Sequence, residues 1–114
     1  MTDYQKLEAI YNEIDTLIEK RVMAESPEFE SWHSRAERFL VNRFGRDSYE
    51  VTDFSNTLFS PTMYAIGMDN VLIRVCCDGL KKTKGVFKDY LIEIKEEMSE
   101  KDEKLSEDVH TGSS

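Results

Sequence analysis

The sequence predicts an all-α fold: a compact bundle of three main helices plus one short helix, with a long C-terminal helix. Three observations carry this. Apolar residues recur at spacings of three and four over three separate stretches, the signature of helices with one buried face. The middle stretch is bracketed by Ser26-Pro27 at its start and Gly45 at its end, residue types that suit those positions. With two prolines and five glycines in 114 residues, the chain is not collagen-like or low-complexity, and 11% aromatics can furnish a small core. The length fits one domain, expected over residues 1–98, with an acidic, disordered tail over 99–114.

The first helix is expected over residues 3–23. Leu7, Ile10, Tyr11, Ile14, Leu17 and Ile18 form its apolar stripe, and Glu8, Glu13, Asp15 and Glu19 fill the other face. The second starts at Ser26-Pro27, where serine caps and proline loses no needed N–H. Glu28 and Glu30 suit the positive end of its dipole, and Arg43 and Arg46 the negative end. Phe29, Trp32, Ala36, Phe39, Leu40 and Phe44 mark its inner face, and Gly45 supplies a left-handed terminator.

A short helix follows from about Ser48 to Asn56, capped by Asp47 or Ser48, with Tyr49 and Phe54 facing inward. Leu58-Phe59-Ser60-Pro61 reads as an irregular segment whose phenylalanine plugs the core. The stretch 62–68 fits either a strand-like piece or a helical turn ending at Gly67. The last helix is capped by Asp69 or Asn70 and runs to about Glu100 on Leu72, Cys76, Leu80, Thr83, Phe87, Leu91, Ile94 and Met98. Gly79 and Gly85 inside it each cost about 1 kcal/mol relative to alanine. A second helix packed close, a ligand, or a kink at Gly85 are the reasons to expect. The expected core comprises Tyr11, Phe29, Trp32, Phe39, Leu40, Phe54, Phe59, Leu72, Phe87 and Leu91.

The formal net charge of −8 is unevenly placed. Residues 1–30 hold 3 basic and 8 acidic side chains, residues 31–90 hold 9 and 7, and residues 91–114 hold 3 and 8. An acidic whole repels nucleic acid and anionic membranes, so neither is an expected non-specific partner. No apolar run approaches the roughly 20 residues of a membrane span, and the N-terminus shows no signal-peptide pattern, so a cytoplasmic location is expected. Cys76 and Cys77 are neighbours and point about 100° apart in a helix, which disfavours a bridge between them. With His33 and His110 distant from each other, no metal-ligand spacing emerges, and neither metal nor cofactor is expected.

Catalytic residues are likewise not expected. Ser60, Cys76, Cys77 and His33 could supply a nucleophile and base, but no spacing unites them. No glycine-rich phosphate cradle occurs. The basic residues offer a candidate binding site instead. Arg35 and Arg38 accompany Trp32, while Arg74, Lys81, Lys84 and Lys88 form one stripe on the last helix. One reading is a solvated face partly paired with the acidic first helix; the other is an anion-contacting groove between the second and last helices. A third option is a protein partner, because Val71, Val75 and Tyr90 widen the apolar stripe of the last helix toward a second copy.

The run W-x-x-R-x-x-x-F-L-x-x-x-F-G-x-x-S comprises Trp32, Arg35, Phe39, Leu40, Phe44, Gly45 and Ser48, followed by Phe54 and Phe59-Ser60-Pro61. It resembles a small helical module of bacterial and phage proteins. That module stands alone or lies N-terminal in nucleotide-binding proteins with TIR-like domains. The resemblance covers roughly residues 26–90, carries no catalytic residues, and implies a bacterial or prophage setting linked to phage defence or counter-defence. The expected function is a non-catalytic protein-binding module acting as a homodimer or higher homo-oligomer, a modulator of a bacterial defence system. The alternatives are a protein that binds a small anionic ligand, such as a nucleotide signal, and an acidic mimic of nucleic acid.

Overall fold

A computed structural model describes residues 2–61 and 69–113, with side chains through residue 99. The described elements are all helical: α1 (Asp3–Glu19), α2 (Pro27–Phe44), α3 (Tyr49–Asn56) and α4 (Asp69–Ser113). The expectations for 62–68 lie outside the described residues.

α1 opens on a capping box that pattern reading did not single out. The Gln5 N–H donates to Thr2 Oγ1 at 3.2 Å, and the Thr2 N–H donates to Gln5 Oε1 at 3.1 Å. Its end comes earlier than residue 23. Arg21 takes φ +53°, its N–H donates to the Ile18 carbonyl, and the Val22 N–H donates to the Leu17 carbonyl. Those two bonds close the helix, and Leu17 and Val22 on either side of the turn are both buried. No glycine announces this turn, because an arginine occupies the left-handed position at a cost of about 1 kcal/mol.

α2 keeps both expected boundaries, with altered chemistry. The Ser26 hydroxyl does not cap α2; it accepts from the Met23 N–H at 3.0 Å and so ties down the preceding turn. Gly45 adopts φ +100° and ψ 149°, an extended conformation open essentially to glycine alone, rather than the left-handed helical one. α3 is capped by Ser48, whose hydroxyl accepts from the Val51 N–H at 3.2 Å. Here one expectation fails: Tyr49 is 77% exposed, and Val51 joins Phe54 in the core. A spacing of three from Val51 to Phe54 shares a helix face, whereas Tyr49 starts the helix on the opposite side.

The helices are oriented by their cross-contacts. Asp3 at the start of α1 meets Arg43 near the end of α2, while Ile10 and Glu13 further along α1 meet Trp32 and Arg35 earlier in α2, so these two run antiparallel. Asp15 meets Lys84, which makes α4 antiparallel to α1 as well, given that Arg43 also joins Asp3 to Glu97 near the far end. α2 and α4 therefore run in the same sense, with Trp32 near Phe87 and Phe44 near Tyr90. Beyond Ile94, the last buried residue of α4 among those with described side chains, the backbone stays helical to Ser113.

Trp32 is the centre of the core. It is fully buried, its Nε1–H donates to the Ile10 carbonyl at 3.0 Å, and its ring lies 5.8–6.4 Å from those of Phe29, Phe54, Phe59 and Phe87. Phe59 is buried as expected, plugging the bundle from its irregular segment, while Leu58 beside it is 61% exposed. Two expected core positions are corrected. Leu72 is half-buried and outside the cluster, and Tyr11 is half-buried, packing against the cluster from its edge.

The glycines of α4 separate. A Cβ at Gly79 would collide with the Leu58 carbonyl oxygen and lie 2.7 Å from Phe59 Cδ1. The close approach is thus made by the Leu58–Phe59 segment, neither by another helix nor by a ligand. A Cβ at Gly85 would meet nothing within 4 Å, so that glycine serves no packing need among the described residues.

Candidate functional site

The basic residues singled out from the sequence are spread over two helices. Arg35 on α2 donates to Glu13 Oε2 at 2.7 Å, and Lys84 on α4 donates to Asp15 Oδ1 at 2.7 Å. Glu13 and Asp15 are two residues apart on α1 and so point to opposite flanks. α1 therefore stands between Arg35 and Lys84, and its carboxylates hold both. The Lys84 ammonium also sits 5.8 Å from the Tyr11 ring centroid, and its pKa is raised, first by the Asp15 hydrogen bond. Arg38, Arg74, Lys81 and Lys88 are exposed and make no ion pair among the described residues. From Arg74 to Lys88 the helix rises about 21 Å, so the stripe is a line rather than a cluster.

Arg43 has a role that its position near a helix end did not suggest. It is the most enclosed of the paired basic side chains, bonding Asp3 of α1 at 3.0 Å and Glu97 of α4. Burial disfavours its charge, but the two carboxylates outweigh that and raise its pKa. A single guanidinium thus clasps three helices, its planar fork directing separate N–H groups at the two carboxylates, a fixed geometry that a lysine ammonium lacks.

His33 stacks on Phe54 with centroids 4.7 Å apart and lies 5.5 Å from the Phe59 ring. Burial pushes its pKa below 6.5, against the opposing pull of Glu37. It lines an open groove of about 510 Å³ together with Ser34, Leu58 and Ser60. His33 and Ser60 therefore share a groove, which their spacing did not reveal, but no hydrogen bond joins them among the described residues. Cys76 is buried and unreactive, its thiol pushed up to about 12 by desolvation and then by Cys77. Among the described residues, no group of three or more His, Cys, Asp or Glu side chains could hold a metal ion. No described helix is long and apolar enough to cross a membrane.

A second open groove, of about 300 Å³, runs between α1 and α4. Tyr4, Glu8, Tyr11 and Asn12 form one wall; Lys88, Leu91, Ile92 and Lys95 form the other. On each helix these residues step by three and four, so each wall is one helix face. Ile92 is 48% exposed at the lip. The apolar widening expected of α4 is thus carried by Ile92, not by Tyr90, which is buried against Phe44 and Phe87.

No protein-family model matches the chain, and neither the curated proteins nor the solved structures include a match to it.

Proposed function

We propose that the chain is a non-catalytic protein-binding module that acts as a homo-oligomer, with the second copy docking on the α1–α4 groove. The observation that carries the reading is the groove's charge pattern around an exposed apolar lip. One wall carries Glu8, the other Lys88 and Lys95, with Ile92 between them. A two-fold axis places the Glu8 wall of one copy on the lysine wall of the other and buries Ile92 from both. The Trp32–Ser48 resemblance extends this reading to a phage or prophage modulator of a defence system.

Size-exclusion chromatography with light scattering tests the reading. The expected mass is twice the 13.3 kDa of the chain, falling to a monomer in Ile92→Glu. Because Ile92 is exposed, circular dichroism of that variant stays native. Glu8→Lys weakens the dimer, and Glu8→Lys combined with Lys88→Glu and Lys95→Glu restores it. A monomer at every concentration, or a dimer indifferent to Ile92→Glu, overturns the proposal.

A further inference from the structure

Thr83 is 3% exposed, and its hydroxyl is the one buried side-chain polar atom without a hydrogen-bond partner among the described residues. A threonine inside a helix ordinarily returns its hydroxyl to the carbonyl four residues back, here that of Gly79. Thr83 does not. Instead it lines a notch between α3 and α4 with a void of about 10 Å³. That is the room one water molecule needs for its centre.

The lining suits water. Phe54 and Phe87, stacked 5.8 Å apart, contribute its aromatic surface. Glu50, Asp53, Thr57 and Tyr90 are the polar residues that line the notch with Thr83. The Thr57 hydroxyl already donates to the Asp53 carbonyl at 3.0 Å and keeps its lone pairs for accepting. Carboxylates accept and a phenol donates or accepts, so a water here has partners for both its protons and its lone pairs. A buried polar atom without a partner is costly, and a bridging water removes that cost.

We infer that the α3–α4 notch is a structural hydration site, in which one ordered water hydrogen-bonds Thr83 Oγ1 and bridges it to the polar groups of α3. The site is independent of the α1–α4 groove and stands whether or not the chain dimerises.

Crystal structures of the wild type, Thr83→Val and Thr83→Ser test the inference. The expected result is a water at about 3 Å from Thr83 Oγ1. It persists in Thr83→Ser and disappears in Thr83→Val. In thermal melts Thr83→Val lowers Tm by about 4 °C, while Thr83→Ser retains the hydration. An empty notch, a hydroxyl turned back onto the Gly79 carbonyl, or a rise in Tm for Thr83→Val each overturns it. The last would mean that the hydroxyl was an unrelieved burden that valine removes.

Discussion

Replacing Trp32 tests whether the bundle is organised around one side chain. The indole is fully shielded from solvent, touches four phenylalanine rings at 5.8–6.4 Å, and donates to Ile10 across 3.0 Å. Trp32→Ala removes the ring, the donor and the contacts of all three long helices at one point. Large aromatic-to-alanine changes in a core cost about 3–5 kcal/mol, and the four aromatic neighbours favour the upper end. A domain of this size has about 5–15 kcal/mol in total, so the variant retains only part of its stability. With an unfolding entropy of about 2.1 cal/mol/K per residue, the melting temperature drops by about 12–21 °C. Trp32→Phe keeps most of the ring and loses the donor. The Ile10 carbonyl retains its helical partner, so this change costs about 1–2 kcal/mol. Far-UV circular dichroism is the assay, since the chain has one tryptophan and both variants remove its fluorescence. A drop below about 5 °C for Trp32→Ala, or equal drops for the two variants, refutes the central placement of the indole.

The two glycines of α4 should respond with opposite signs to the same change. Gly85→Ala gains up to about 1 kcal/mol of helix propensity in open space, raising Tm by about 4 °C. Gly79→Ala forces the Leu58 carbonyl and the Phe59 ring aside, and overpacking costs of about 1–3 kcal/mol exceed that gain, so Tm falls. His33 makes stability depend on pH on the acid side. Burial lowers its pKa in the fold, so the unfolded chain binds the proton more readily; stability is lost as pH falls below 6.5 and stops falling, for this group, under the folded value. Tm should decline from about pH 7.5 to about pH 5.5, and the part due to this residue should vanish in His33→Gln.

The parts of the fold visible along the chain are those set by local chemistry. Pro27, Gly45 and Ser48 mark boundaries because their backbone and hydroxyl preferences act within a few residues. The stripes of α1, α2 and α4 place Leu7, Trp32 and Phe87 correctly because a helix face is a matter of spacing. The end of α1 escaped because Arg21 holds a conformation that its residue type does not advertise. The outward facing of Tyr49 is not legible in the sequence, because a helix of eight residues has too few apolar positions to settle which way it faces. Leu72 fits the α4 stripe, but it comes before the turns of α4 that bury Cys76 and Leu80. The binding surfaces were the least legible. Arg43 joins residues 40 and 54 positions away, and the α1–α4 groove is assembled from two ends of the chain.

The uneven charge along the sequence acquires a physical meaning in the fold. The acidic N-terminal stretch and the basic middle are complementary, and the chain folds one against the other: Asp3, Glu13 and Asp15 of α1 take Arg43, Arg35 and Lys84. An anion approaching Arg35 or Lys84 must compete with a carboxylate already at 2.7 Å. Both pairs are exposed to solvent, so that competition is worth no more than about 1 kcal/mol at each cation. Glu8, Lys88 and Lys95 carry no such bond among the described residues. A second copy of the chain can engage them without displacing any internal ion pair, and it covers Ile92 in the same step. Salt sensitivity follows from this difference. Exposed charges that meet across a two-fold axis are screened over about 8 Å at physiological ionic strength. The proposed dimer is therefore expected to weaken as salt rises, with burial of Ile92 keeping part of the association.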